Sequence, residues 1–154
     1  MLDPIKGNPP ETRPPYYGTF LAARAIGKEP NTRILQLETD CELETAYAFH
    51  NGENLRSIVA INFQEWNSTS IEPRPSKTFE FRVGHTVKKA KVERLKAAGA
   101  EVTEGITVAG LSFDYNLEKG KPVVIDAEEE WVNVTHGDVS VEIPATEAVL
   151  LRFE

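Results

Sequence analysis

The carboxylates are the residues of this 154-residue chain whose type and spacing come nearest to a catalytic arrangement. Three consecutive glutamates, 128–130, follow Asp126, and Glu65 stands beside Trp66 at the end of an apolar run. Glycoside hydrolysis needs two carboxyl groups that face each other across the sugar, about 5–9 Å apart. Adjacent residues in a turn do not face each other in this way. We therefore interpret 128–130 as a solvated acidic turn and Glu65 as structural.

The remaining nucleophiles and metal-ligating residues form no motif. The histidines His50, His85 and His136 are far apart, and no paired-ligand spacing such as HExxH or CxxC occurs. The chain has no nucleophile elbow, phosphate-binding loop or dinucleotide fingerprint. Its lone cysteine, Cys41, cannot form an internal disulfide. The sequence therefore predicts no catalytic residue, no metal site and no cofactor in this chain.

A basic cluster allows two interpretations. It is either a polyanion-binding surface or a solvated strand edge, where lysines discourage edge-to-edge pairing. We favour the strand edge, because the whole chain carries a net charge of −7, which argues against nucleic acid and anionic membranes as partners. No run of 18 apolar residues is present, so the sequence predicts no membrane span. The cluster comprises Lys88, Lys89, Lys91, Arg94 and Lys96.

Two further patterns are relevant to carbohydrate. The sequons Asn67-Ser68-Thr69 and Asn133-Val134-Thr135 make Asn67 and Asn133 candidate N-glycosylation sites if the chain enters a secretory pathway. Four aromatic residues could form a sugar-stacking platform, although buried aromatic residues are also ordinary core components. They are Trp66, Trp131, Tyr115 and Tyr47.

The elements that must position these residues are mostly strands. Five of the ten prolines lie in residues 1–15 and predict an extended lead. An apolar helix is predicted over 18–26, ending at Gly27. About eight short segments with alternating apolar residues follow, and Asn51-Gly52 predicts a type I′ hairpin turn. We predict an all-β protein, an antiparallel β-sandwich of about eight strands. The predicted strands are 33–39, 45–50, 55–63, 77–83, 88–97, 106–113, 122–127, 131–135, 139–143 and 147–153. Segment 88–97 could also fit a helix, and we prefer a strand because strand patterns flank it on both sides.

The order of several segments resembles a known family. They are PYYGTFLAARAIG, AYAFHNGENLRSIVAINFQEWN, RPSKTFEF, VKKAKVERLKAAGAEVTEGITVAGLSFD and VSVEIPATEAVLLRF, within residues 14–153. They are similar to the C-terminal region of glycoside hydrolase family 79, the β-glucuronidase and heparanase-like enzymes, with the fungal branch nearest. This resemblance implies a (β/α)8 barrel that holds two catalytic glutamates, followed by a β-sandwich. Neither glutamate falls in the matching region.

The resemblance implies a division of the chain and a role for its parts. Residues 1–27 would be an extended lead and the last helix of an absent barrel, and residues 28–154 the C-terminal β-sandwich domain. The barrel would be the partner, and a glucuronide-containing carbohydrate would bind through it. Tyr16 and Tyr17 would then lie near the active site and contact substrate in the intact enzyme, or pack between domains. An isolated sandwich would also expose a sheet edge.

These implications support one interpretation over two alternatives. We expect a non-catalytic accessory domain or fragment of a β-glucuronidase-like glycoside hydrolase, inactive alone. The first alternative is a stand-alone carbohydrate-binding module, and the second is a complete small enzyme. The family is secreted, yet residues 1–6 show no secretory signal, and this conflict suggests a missing N-terminus.

Overall fold

The computed structural model describes residues 10–154 and confirms the predicted fold class, an all-β antiparallel sandwich. Helix α1 (Pro14–Ile26) precedes the strands, and a four-residue helix, α2 (Tyr115–Glu118), lies among them. The described residues contain eleven strands: β1 (Thr32–Leu37), β2 (Glu44–Asn51), β3 (Asn54–Asn62), β4 (Ser76–Arg82), β5 (Lys89–Lys96), β6 (Thr107–Val108), β7 (Leu111–Ser112), β8 (Val123–Val124), β9 (Glu130–Asn133), β10 (Asp138–Pro144) and β11 (Ala148–Phe153).

One large sheet and one two-stranded sheet make up the sandwich. The large sheet has the order β1-β2-β3-β11-β5-β6-β7-β8, and β9 also pairs with β5. The second sheet consists of β4 and β10 alone. All pairings are antiparallel. At one end of the large sheet, β1 leaves its outer edge unpaired in the described chain.

Alternating side chains of the central strand β11 build two cores. Ala148 and Leu150 face α1, whereas Val149 and Leu151 face the β4–β10 sheet. Each of these four side chains is at most 3% exposed. Successive side chains of a strand point to opposite faces, so the four consecutive apolar residues of β11 are buried on both sides of the sheet.

The helix begins earlier than predicted. The prediction of 18–26 failed at its first turn, because Pro14 and Pro15 occupy the first helical positions rather than an extended lead. A proline there loses nothing, since its missing N–H would have no intrahelical partner. The extended lead predicted over 1–15 is thus wrong at 14–15, and its residues 1–9 lie outside the described part of the chain.

Two turn predictions also need correction. The hairpin between β2 and β3 turns at Gly52 and Glu53, one residue later than predicted, and only Gly52 has φ above zero. The single strand predicted over 106–113 is two strands, β6 and β7, because Ala109 (φ 50°) and Gly110 (φ 75°) reverse the chain. This split raises the ten predicted strand segments to the eleven strands observed, more than the roughly eight strands expected for the sandwich.

Candidate functional site

Helix α1 is bound to the large sheet through one apolar face. Tyr17, Leu21 and Ala25 are four residues apart and so lie on the same side of the helix. Their exposed fractions are 2%, 3% and 3%. They pack in one cluster with Val59 of β3 and Leu150 of β11. The helix and the sandwich therefore share a core.

The two tyrosines singled out by the resemblance lie in different environments. Tyr17 is buried, and its hydroxyl accepts a hydrogen bond from the Phe113 backbone N–H at 3.0 Å and lies 3.3 Å from Ser112 Oγ. Tyr16 is 39% exposed, and its ring meets that of Phe113 edge to face at 5.1 Å. In this chain the Tyr17 hydroxyl is enclosed by the domain itself. Substrate contact by either tyrosine in an intact enzyme stays a prediction.

The opposite face of α1 is mostly apolar and uncovered. Gly18, Ala22, Ala23 and Ile26 are exposed, and Ile26 is 42% accessible. The exposed Thr19 among them donates its hydroxyl to the Pro15 carbonyl at 2.9 Å. A helix that is apolar on most sides is normally buried on most sides. We call these four residues together with Tyr16 the outer face of α1. It is the part of the helix that a further domain could cover.

An ion pair that the sequence reading missed ties α1 to the centre of the sheet. Arg24 donates two hydrogen bonds to Glu93 of β5, at 2.7 and 2.6 Å, and Arg152 Nη1 lies 3.7 Å from the same carboxylate. Glu93 is only 4% exposed. The hydrogen bonds between Arg24 and Glu93 raise the pKa of the Arg24 guanidinium above its ordinary value. The one sign of this ion pair in the sequence was the position of Arg24, which lies seven residues after Tyr17 and therefore beside the buried face of the helix.

A charged cleft opens beside this ion pair. The outer edge of β5 pairs with β9 over residues 89–92 and with β6 over residues 95–96, so the two neighbours separate between these positions. The gap forms a cleft of about 520 Å³ that also includes Arg24 and the loop 126–129. Most of its charged side chains belong to the basic cluster or to the acidic turn.

The basic cluster lies on an internal strand, so its interpretation as a strand edge was wrong. Strand β5 pairs with β11 along one edge and with β6 and β9 along the other. Four of the five cations of the cluster are paired with carboxylates of this chain: Lys89 with Glu154 at 3.1 Å, Lys91 with Glu129, Arg94 with Glu130 at 2.7 Å, and Lys96 with Asp126 at 3.7 Å. Lys88, which precedes β5, donates to the His85 carbonyl at 3.1 Å.

The acidic turn is therefore a structural partner of β5. The hydrogen bond from Lys91 lowers the pKa of Glu129, and the hydrogen bonds to Glu130 raise the pKa of Arg94. A glycosidase uses two carboxyl groups that both face the sugar, one of them as an acid. Carboxylates held by cations in this way fix the 126–130 segment over β5 instead.

The four candidate aromatic residues do not form a common platform. Lys89 Nζ lies 3.9 Å from the ring centre of Trp131, and the Arg74 guanidinium lies 5.3 Å from that of Trp66. Tyr47 packs against the core that α1 covers. The aromatic contacts found within residues 10–154 join other rings, chiefly those around Phe113. Within the described residues, Trp66, Trp131, Tyr115 and Tyr47 thus make no ring-to-ring contact with one another.

The remaining predicted sites are separate from the cleft. Asn67 is half-buried in the loop after β3, and Asn133 is exposed at the end of β9. Within residues 10–154, no three or more His, Cys, Asp or Glu side chains are grouped to hold a metal ion. The helices of that same region are too short and too polar to cross a bilayer.

Comparison with known proteins gives the family and the size of its members. The β-glucuronidase of Aspergillus niger is 32% identical over 92% of this chain, and that of Neurospora crassa is 29% identical over 92%. This chain spans only 29% and 33% of their lengths. The relatives are thus about three and a half times as long.

A solved structure shows the same fold. A 4-O-α-L-rhamnosyl-β-D-glucuronidase from Fusarium oxysporum matches with a TM-score of 0.75 at 23% identity, over 90% of this chain and 29% of that one. The family model for the glycosyl hydrolase family 79 C-terminal beta domain matches residues 46–150. This chain therefore belongs to the glycosyl hydrolase family 79 C-terminal beta domain family.

Proposed function

We propose that this chain is the non-catalytic C-terminal domain of a larger glycoside hydrolase that acts on glucuronides, and that it braces the catalytic domain. The observation that carries the proposal is the outer face of α1, an uncovered apolar surface on a helix whose other face belongs to the sandwich core. The length of the β-glucuronidase relatives supports it, because most of each relative lies outside the region matched here.

In this proposal the partner is a (β/α)8 barrel, and α1 is its last helix. The barrel covers the outer face of α1, including Ile26, while Tyr17, Leu21 and Ala25 keep the helix on the sandwich. Arg24 and Glu93 fix the relative position of the two domains, since one residue is on the helix and the other on β5. Residues 1–27 then belong with the barrel and 28–154 with the sandwich.

The same proposal assigns the substrate and the cellular location to the intact enzyme. The glucuronide binds in the barrel, near its last βα-loop, where Tyr16 is close enough to contribute a contact. The enzyme is secreted, and the Asn67 and Asn133 sequons are available to the glycosylation machinery. Glu129, Glu130 and Asp126 of the cleft take no part in hydrolysis, because they are held by Lys91, Arg94 and Lys96.

Hydrolysis of an aryl β-glucuronide by the purified chain tests the catalytic part of this proposal. We expect no turnover above buffer, with the full-length Aspergillus niger β-glucuronidase as the positive control. Glu129→Gln and Glu130→Gln variants serve to locate any activity that is found. Turnover that co-purifies with the chain and disappears in these variants would place an active site in the sandwich and refute the proposal.

A further inference from the structure

Part of the large sheet lies beside α1 rather than beneath it. The helix packs mainly on β3, β5 and β6, whereas β1 and β2 are at one end of the sheet. Ile34 of β1 pairs with Phe49 of β2, and Gln36 pairs with Tyr47. Paired residues of antiparallel strands point to the same face of the sheet. Because Phe49 and Tyr47 pack in the core that α1 covers, Ile34 and Gln36 also lie on the helix side of the sheet.

We propose that Ile34, Gln36 and Tyr47, together with the outer face of α1, form one surface that packs against an apolar surface of the catalytic domain. We call these three residues the β1–β2 face. The inference rests on the proposed function and extends the contact from the helix to the strands of the sandwich. The partner is the part of the longer enzyme outside the matched region, which makes up most of each β-glucuronidase relative.

The composition of β1 suits a covered strand. Ile34 is 50% exposed and lies in the middle of the strand, and Tyr47 beside it is half-buried. An antiparallel sheet that faces water on one side carries polar residues on that side. Strand β1 also contains neither proline nor lysine, the residues that commonly protect an open edge. Its helix-side face is therefore more apolar than a solvated edge strand requires.

The end of α1 and the start of β1 are held together on this side of the sandwich. The hydroxyl of Thr32, two residues before Ile34, lies 3.0 Å from the carbonyl oxygen of Ile26 and 3.1 Å from that of Glu29. Ile26 is 42% exposed and Ile34 is 50% exposed. Large apolar side chains thus lie at both ends of one fixed connection. Contiguous exposed apolar surface of this kind marks interaction sites in soluble proteins.

The orientation of α1 makes the two parts of the surface adjacent. Arg24 reaches Glu93 on the β5 side of the helix. Gly18 and Ala22 lie on the opposite flank of the helix, at its spacing of 3.6 residues per turn, and so on the side of β2. Both residues are exposed, and a Cβ added at Gly18 would meet no neighbouring atom within 4 Å. The space between the helix flank and the β1–β2 face is therefore open to a partner.

Leu35 provides an internal comparison for Ile34. It is the next residue of the same strand and is 56% exposed. It pairs with Ala48, so it points to the opposite face of the sheet, where α1 does not lie. The two side chains thus match in size, strand and exposure and differ in the face they occupy. A partner that covers the helix side contacts Ile34 and leaves Leu35 free.

Binding of the dye 1-anilinonaphthalene-8-sulfonate to the 154-residue chain tests whether the surface is continuous. The dye fluoresces on exposed apolar surface. We expect Ile26→Ser and Ile34→Ser each to lose at least about half of the wild-type fluorescence, and Leu35→Ser to retain it. Circular dichroism verifies that each variant is folded. An absence of dye binding to wild type, or equal losses in Ile34→Ser and Leu35→Ser, overturns the proposal.

A full-length fusion tests the partner. In this fusion the chain replaces the segment of Aspergillus niger β-glucuronidase that it matches. Thermal unfolding is measured for wild type, Ile34→Asp and Leu35→Asp, both in the fusion and in the chain alone. We expect the two substitutions to shift the midpoint equally in the chain alone, within about 2 °C, whereas in the fusion Ile34→Asp lowers it by at least about 5 °C more than Leu35→Asp.

The outcomes of the fusion experiment separate this inference from the proposed function. Equal shifts for the two variants in an active fusion overturn the inference and leave the bracing through α1 intact. Undiminished dye binding by the active fusion also overturns it, because the catalytic domain should cover the surface. An inactive fusion, or one whose sandwich unfolds as it does in the chain alone, refutes the proposed function itself.

Discussion

The buried hydroxyl of Tyr17 offers a sensitive test of how firmly α1 belongs to the sandwich. Replacing Tyr17 with phenylalanine keeps the ring and removes one oxygen, which accepts the Phe113 N–H and adjoins Ser112 Oγ. Phe113 and Ser112 are 4% and 2% exposed, so water cannot replace the lost acceptor. An unsatisfied buried donor costs about 1–3 kcal/mol. We therefore expect Tyr17→Phe to lower the free energy of unfolding by about 2 kcal/mol.

Tyr16→Phe is the matched control, because it makes the same chemical change one residue earlier, on a side chain that is 39% exposed. We expect its effect to stay within about 0.5 kcal/mol. Urea unfolding followed by tryptophan fluorescence and circular dichroism measures both variants. In thermal unfolding, a loss of 2 kcal/mol corresponds to a shift of about 4–8 °C for a domain of this size. Equal stability of the two variants would refute the docking of α1 through Tyr17.

Three further changes test other parts of the structure. Arg24→Ala leaves Glu93 buried beside the more distant Arg152 and should lower the free energy of unfolding by about 3 kcal/mol in the same urea assay. Arg33→Ala is the control, because it breaks only an exposed pair with Glu53 and should cost at most about 1 kcal/mol. Gly110→Ala places a Cβ against the Asp126 carbonyl at a φ of 75°, so we expect the free energy of unfolding to fall by about 3 kcal/mol. Gly52→Ala is the control, because Gly52 has a φ of 61° and open space around it, and should cost about 1 kcal/mol. Similar losses in the two variants would argue against the close approach of Gly110 to Asp126. Burial raises the pKa of Glu147, so the folded state binds the carboxyl proton more tightly than the unfolded state, and this stabilisation is lost as pH rises from about 4.5 through the folded pKa. Glu147→Gln should therefore flatten the decline of the unfolding free energy measured from pH 4 to 7. An unchanged slope would count against the raised pKa.

The fold class could be read from the sequence because the strands of this protein carry strong local patterns. Alternation in 55–63 identifies strand β3, and the apolar run in 147–153 identifies strand β11. Burial on both faces follows from their apolar residues at successive positions. The segment 88–97, which could also fit a helix, was correctly predicted as a strand because strands flank it. Those patterns are local, so a single sequence is enough to find them.

What the sequence did not reveal depends on contacts between distant segments. The pairing order, with β11 between β3 and β5, determines that the basic cluster lies on an internal strand opposite residues 126–130. The bond between Arg24 and Glu93 joins residues 69 positions apart. The residues 112–113 that enclose the Tyr17 hydroxyl are likewise far from it in the sequence. Neither spacing nor composition records such contacts, so the cleft and the anchor of α1 came only from the structure.

The central claim is that this chain acts as one domain of a larger secreted enzyme. The most direct measurement is the mass of the native protein, detected with an antibody raised against this chain in culture medium and cell extract after deglycosylation. The account predicts a band in the medium of about three and a half times 17.1 kDa, in proportion to the relatives. A single band near 17 kDa inside the cell would contradict it.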